Sequence, residues 1–468
     1  MEYIQNYLNK ISKLEYIDEL YCGLLCLITL VGWLTNQFLG MSVLIIFGVS
    51  AVVIKKDLRY FIPCALYFIF NINEGFSSTK FPIPIIVEGA VLVIVLIVFL
   101  IKNGINANKM HFLYGLSGLA IMNFLPIFWN SLEKRYSVYY FLYFSDLAYL
   151  LIYIVMSNGI KSNSSKTISV SMSWLSMLMF LETLFSIIKY RIISPNDSIF
   201  SYYYFFGWGL CNEAGIMICM ASPFIFYLIA SSHSFKEIIY QFSKVVFSFL
   251  GVIFTTSRGS IIFFVLSFII CSIYICLKAK RKKNIKICYG IIGLSSLVLM
   301  LIFIKPLVGL ITKYISIVFE NGLDDNYRFE IWQHSLELFS KNPLTIILGS
   351  GITSNFGYTL TAIGYQHTIV VSHSTIFQTM VMGGLLGITC LGIHLYEKYR
   401  NLLYVKDKTF VFMSLISFIV VGIYGLIDNT YHMYYYMITL VIILASIDSQ
   451  IEKPVNEKNM QNLEDKKE

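Results

Sequence analysis

Four short clusters carry residue types able to grip a phosphate or move a proton. The first is Thr255-Thr256-Ser257-Arg258-Gly259-Ser260, a tight turn between two apolar blocks. A guanidinium beside a helix start can hold a phosphate through two parallel hydrogen bonds. The free amides and partial positive charge of that helix start add to the attraction. The blander reading is a plain interfacial turn whose arginine snorkels to lipid headgroups. The second cluster is Asp324-Asp325-Asn326-Tyr327-Arg328-Phe329-Glu330-Ile331-Trp332, running on to Asn342-Pro343. Its acids and asparagine suit a helix start. The spacing of Phe329, Trp332, Leu336 and Phe339 predicts one apolar face, and Asn342-Pro343 predicts the end of the helix. Arg328 then either pairs with Asp324 or Asp325, or leans toward a phosphate.

The third cluster is Ser372-His373-Ser374-Thr375-Ile376-Phe377-Gln378, followed by Gly383, Gly384 and Gly387. Ser372 reads as a helix cap, with His373 in the first turn. The positive end of a helix disfavours an imidazolium, which suits His373 to accept a proton. A purely structural histidine is the alternative, and His367 is a less well placed competitor. The fourth cluster is Trp208-Gly209-Leu210-Cys211-Asn212-Glu213-Ala214-Gly215. An acid entering an apolar span is costly and so a functional candidate. For Glu213 the alternative is a salt bridge to Arg258 or Arg191. Glu88 and Asp146 carry the same ambiguity, and Asp428-Asn429-Thr430-Tyr431-His432 reads as a supporting polar turn.

The elements that position these clusters follow from composition. Of 468 residues, 57% are hydrophobic and 13% charged, about half the charge of a soluble domain. The apolar residues form long blocks such as Ile83–Ile101, Ile168–Ile188 and Ile261–Leu277. These have the length of a membrane-crossing helix and lack the alternation of a barrel strand. The reading is an all-α, polytopic bundle of about fourteen spans. Its weakest members are the early pair near Ile28 and Ile46 and the span that Lys244 interrupts. The net charge of +8 sits in short loops, so it orients the chain in a membrane and does not point to nucleic acid. The nine cysteines lie in apolar blocks without metal-ligand spacing, and the mixed, polar first residues do not look like a cleavable leader.

With both ends inside, the Lys/Arg-rich loops, above all Lys278–Lys286, face the cytosol. The expected organisation is an N-terminal transmembrane bundle over 1–305, an extracytoplasmic loop with an amphipathic helix over 306–372, transmembrane helices over 373–447 and a disordered cytoplasmic tail over 448–468. A long connection of this kind is usually functional.

The order of the clusters resembles the O-antigen polymerase and ligase family of membrane glycosyltransferases. Ser257-Arg258-Gly259-Ser260 looks like that family's Ser-Arg-Gly-Ala element. Arg328, Trp332 and Pro343, then Gly349-Ser350-Gly351, look like its outer-loop pattern. His373-Ser374, Gln378, Gly383-Gly384 and Gly387 are similar to its helix start. The resemblance spans roughly Trp208–Gly387, and earlier residues match only in hydropathy. It implies a donor glycan on undecaprenyl diphosphate at the outer face of a bacterial cytoplasmic membrane, no nucleotide sugar and no metal or other cofactor. It assigns Arg258 and Arg328 to the leaving diphosphate, with Arg191 as a weaker third cation. His373 is the base, with Glu213 as its alternative, and Asn212, Ser257 and Trp332 contact substrate. Membrane lipid, a flippase and a chain-length regulator are the expected partners. Polymerase is preferred over ligase, and a lipid-oligosaccharide flippase is the rival of another class.

Overall fold

The computed structural model describes residues 17–35, 39–71, 83–129, 143–161, 164–193, 211–279, 281–291, 312, 328–351, 358–362, 365–369 and 372–451. The expected span near Leu297, the acids Asp324 and Asp325, Asn326, Trp208 and residues 452–468 of the C-terminal tail lie outside the described residues, as do the side chains of Arg191, Glu88 and His367; Asp448, where the tail is expected to begin, is instead the buried last residue of a helix. The helices are α1 (Ile17–Thr35), α2 (Leu39–Lys55), α3 (Ile62–Phe68), α4 (Ile83–Asn103), α5 (Leu113–Phe124), α6 (Ser145–Gly159), α7 (Ser165–Ile193), α8 (Cys211–Ser231), α9 (Phe235–Phe254), α10 (Arg258–Lys278), α11 (Arg328–Ser340), α12 (Pro343–Leu348), α13 (Thr375–Leu402), α14 (Lys408–Tyr424) and α15 (Tyr434–Asp448). One small departure from the all-helical expectation is an antiparallel hairpin, β1 (Tyr358–Ala362) with β2 (Tyr365–Ile369), in which Leu360 lies opposite His367.

Six of the described helices are long and apolar enough to cross a membrane, and five shorter apolar helices accompany them. By length and composition these helices support an integral membrane protein of several spans. Six such spans stand among the described residues where about fourteen were expected. Exposure supports the reading. Helix α10 presents Ile262, Leu266, Ile269, Ile270 and Ile273 outward, a stripe that water would not tolerate but lipid would.

The chain forms two compact units. The first comprises Met1–Val95, Ser165–Leu323 and Phe412–Val420. Its centre is α8, of whose apolar span 94% is buried, as befits a helix that is hydrophobic all round. Polar contacts tie the helices together. Ser176 and Ser248 share a hydrogen bond of 2.7 Å between α7 and α9, and Ser417 donates to the Met220 carbonyl at 2.8 Å. Lys244, which makes the α9 span look doubtful in sequence, is buried and paired with Glu19 at 2.7 Å. Its charge is therefore matched inside the bundle, and α9 is one continuous helix.

The second unit comprises Leu96–Ser164, Asp324–Val411 and Val421–Glu468. A buried carboxylate, Asp448, accepts from Tyr153 at 2.6 Å, from Ser157 at 2.7 Å and from the His111 amide at 3.2 Å. These bonds fasten α15 to α6 and to the start of α5. The long helix α13 is broken at Gly384, where φ is 63° and ψ is −154°. The break frees carbonyls that a membrane interior cannot leave unpaired. The amides of Ser350 and Gly351 take them up, donating to Val381 at 2.7 Å and Met382 at 3.1 Å. The approach is so close that a Cβ on Gly384 would lie 2.5 Å from the Ile347 carbonyl. Gly384→Ala combines that clash with a strained backbone and should cost about 1–3 kcal/mol. The thermal midpoint in detergent is expected to fall. Gly392→Ala, in the same helix with open space around it, should leave it unchanged or slightly raised.

Candidate functional site

The described half-helix of α13 before Gly384 starts at Thr375, with Ser374 as its cap residue. Its first amide is satisfied by the turn after α14. Thr375 N donates to the Gly425 carbonyl at 2.8 Å and to the Asp428 carbonyl at 3.1 Å. This corrects the expected register: Ser372 is not the cap, and His373 precedes the helix instead of occupying its first turn. The reason is that the turn carbonyls provide a better partner for the helix start than the Ser372 hydroxyl. His373 takes φ of 47°, a left-handed conformation that L side chains adopt only at a cost of about 1–2 kcal/mol.

The residue before it is clamped from three directions. Ser372 is fully buried. Its amide donates to Gln378 Oε1 at 2.8 Å, its carbonyl accepts from Trp332 Nε1 at 3.0 Å, and its hydroxyl accepts from Ser335 at 3.0 Å. Trp332 also stacks on Phe377, with ring centroids 5.2 Å apart. Helix α11 is thus laid against the start of α13. The buried face of α11 is Ile331 and Ser335, with Trp332 half-buried, while Phe329 and Leu336 are exposed. The expected apolar face is rotated by about one residue because two hydrogen bonds to Ser372, not apolar burial alone, set the docking. Asn342 does not simply end α11. It caps α12 through a capping box with Thr345, and Pro343 takes the first helical position.

His373 keeps 39% of its side chain exposed, and Asp428 Oδ1 lies 3.6 Å from its Nδ1. Asp428 is itself held by the Asn429 amide at 2.8 Å. Asn429 is 1% exposed, and its side-chain oxygen and nitrogen have no hydrogen-bond partner among the described residues. Arg328 is the first residue of α11, half-exposed, one helical turn before Trp332 and on the same face. His334, further along α11, is held below the ordinary histidine range by burial, with Glu337 pulling the other way. Arg328, Trp332 and His373 therefore all lie in the second unit, with Trp332 linking α11 to the residue beside His373. Gln378 holds the Ser372 amide, a role its place in the motif does not announce, and Asp428 faces His373 from the turn expected only to support the site. The available signal was a run of polar residues at 428–432 directly after an apolar helix.

The first unit holds the other candidates. Helix α9 ends at Phe254, Thr256 takes φ of 57°, Ser257 occupies the cap position, and Arg258 opens α10. The tight turn is as expected. Ser257 is buried and hydrogen-bonded to Ser260 at 2.9 Å, while Arg258 is half-exposed. Asn212 and Glu213 lie in the first turn of α8, both half-buried. Gly215, one turn deeper, lets α8 lie against this turn, since a Cβ there would clash with Ser260 Oγ. Arg191 stands in the last turn of α7.

These features are those of a helical membrane protein in which the candidate residues Asn212, Glu213, Arg258 and Arg328 stand at helix starts. Residues 244–392 match a family described as O-antigen ligase, a range that includes Arg258, Arg328, the Gly349–Gly351 turn, His373 and Gly384. This match covers about a third of the chain and supports the resemblance of that segment to the O-antigen polymerase and ligase family. No curated protein matches the chain.

The clamp makes a stability prediction. Trp332→Phe keeps the stacking on Phe377 but loses the bond to Ser372, and should cost about 1 kcal/mol. Trp332→Ala loses both and should make the α11–α12 segment markedly easier to cleave by limited proteolysis in detergent.

Proposed function

We propose that the chain is a polymerase that joins polyprenyl-diphosphate-linked oligosaccharide units into a surface polysaccharide at the outer face of the cytoplasmic membrane. The observation that carries this is the setting of His373. A half-exposed imidazole sits in a rigidly held left-handed turn, with a carboxylate on its Nδ1 side, in the same unit as Arg328. Asp428 lies on the Nδ1 side of the ring, which leaves Nε2 as the nitrogen to meet a substrate.

In the proposed step, the acceptor hydroxyl passes its proton to Nε2 of His373. Its oxygen bonds to the anomeric carbon of the donor sugar. The bond from that carbon to the diphosphate oxygen breaks, and the polyprenyl diphosphate leaves with the electron pair. Cations must meet the charge that develops on it. Arg328 is the proposed partner in the second unit. Arg258 is proposed as a phosphate-binding residue from its helix-start position and its motif, and Arg191, Asn212, Glu213, Ser257 and Trp332 as substrate contacts. Transfer of a finished glycan to a different acceptor is the second reading, favoured by the description of the matching family.

The test is complementation of a deletion strain, with the surface glycan and the lipid-linked pool analysed together. Single repeat units left on the carrier support a polymerase. Long chains left on the carrier support a ligase, and units trapped on the inner side support a flippase. In the same assay, Arg328→Ala and Arg258→Ala should each lower elongation about a hundredfold or more, corresponding to roughly 3 kcal/mol of transition-state stabilisation. His373→Gln should be similarly impaired, and wild-type turnover in that variant would move the role of base to Glu213.

A further inference from the structure

Helix α13 carries a lysine of a kind that membrane spans rarely keep without a use for it. Lys398 lies in the half of α13 after the Gly384 break, within a candidate span, and is fully buried. Its Nζ donates to the hydroxyl of Tyr431. The ammonium also stands 5.1 Å from the centre of the Tyr431 ring and 5.0 Å from that of Tyr399, within cation–π range. Tyr431 is 5% exposed. Its ring meets His394 and Tyr436 edge to face, with centroids 5.7 Å and 5.3 Å apart. Both the hydroxyl and the ring are thus held, and the short turn Thr430–His432 is fixed by the side chain at its middle.

The same stretch of chain reaches the other half of α13. Thr430 Oγ1 lies 3.4 Å from Thr375 Oγ1, and the Asp428 carbonyl accepts from the Thr375 amide at 3.1 Å. Thr375 and Lys398 are more than twenty residues apart, on opposite sides of the break. Residues 428–431 therefore join the two halves, bound to the first at Asp428 and Thr430 and to the second at Tyr431. The carboxylate of Asp428 stands 3.6 Å from His373 Nδ1, slightly beyond the usual hydrogen-bond range. A pair at that separation depends on the backbone that carries it.

We propose that Lys398 and Tyr431 are positioning residues for the transferase site, a strut that keeps the Asp428 carboxylate beside His373. This rests on the reading of His373 as the base. The strut acts through Asp428, whereas a contact that only stabilises the bundle does not, and the two make different predictions.

The test uses the full chain in nanodiscs. Its substrate is the polyprenyl-diphosphate-linked glycan extracted from a deletion strain, with initial rates measured over a range of concentrations. Tyr431→Phe and Lys398→Met should each lower kcat about tenfold and leave KM within about twofold. The double variant removes both members of the pair, so no ammonium is left facing a lost hydroxyl and the chain should stay folded. Its kcat should match that of the single variants. In an Asp428→Asn background the same substitutions should lower kcat no further. Wild-type kcat in the folded double variant, or a further loss in the Asp428→Asn background, would overturn the proposal and leave the transferase reading intact. His373→Gln at the wild-type rate, or no transfer by the wild-type chain, would instead remove that reading and the proposal with it.

Discussion

A helix broken inside a membrane protein must find new partners for the carbonyls it frees, and the second unit is organised around that requirement. Helix α13 breaks at Gly384, and the amides of Ser350 and Gly351 close the gap. Two pieces of sequence more than thirty residues apart, the Gly349-Ser350-Gly351 turn and the Gly383-Gly384 pair, are thereby each other's partners. The same docking brings α12 against α13, and α11 follows through its contacts to Ser372. His373 then has little freedom, since the residue before it and the helix after it are both fixed. Backbone satisfaction in a low-dielectric setting thus reaches outward to the position of a single imidazole.

Each unit also holds a carboxylate whose hydrogen bonds are spent locally, half-buried Glu19 in the first and buried Asp448 in the second. Glu19 serves three helices of the first unit, and Asp448 joins three segments of the second. Such hubs are costly to bury and therefore reward full satisfaction. Neither contributes to the proposed chemistry, which relies on half-exposed groups at helix starts. The division is physically reasonable: fully paired charges hold helices together, and partly exposed ones remain able to meet a ligand.

Much of the architecture was legible in the sequence. Uninterrupted apolar blocks identify membrane helices because lipid allows little else, and the Ser257-Arg258 turn could be placed because a three-residue link between two such blocks has few options. What failed was register. His373 was placed in a helix that begins two residues later, because the competing acceptors, Gly425 and Asp428, lie fifty residues downstream and leave no local mark. The apolar face of α11 was misplaced for a similar reason, since its docking is set by hydrogen bonds from Trp332 and Ser335 to Ser372. The break at Gly384 has no local mark either, since glycines spaced three or four residues apart equally suit an unbroken helix that a neighbour approaches closely. Lys244 looked like a flaw in its span because its partner, Glu19, precedes it by more than two hundred residues.

That last separation bears on how the protein is made. Glu19 stands in the first turn of α1 and is made long before Lys244, which lies midway along α9. A lone charged side chain at the centre of a span opposes insertion by about 2.5–3.5 kcal/mol. When α9 is synthesised, the acid that matches its lysine is already in place on the first helix, so α9 can enter the bilayer with its charge paired instead of bare.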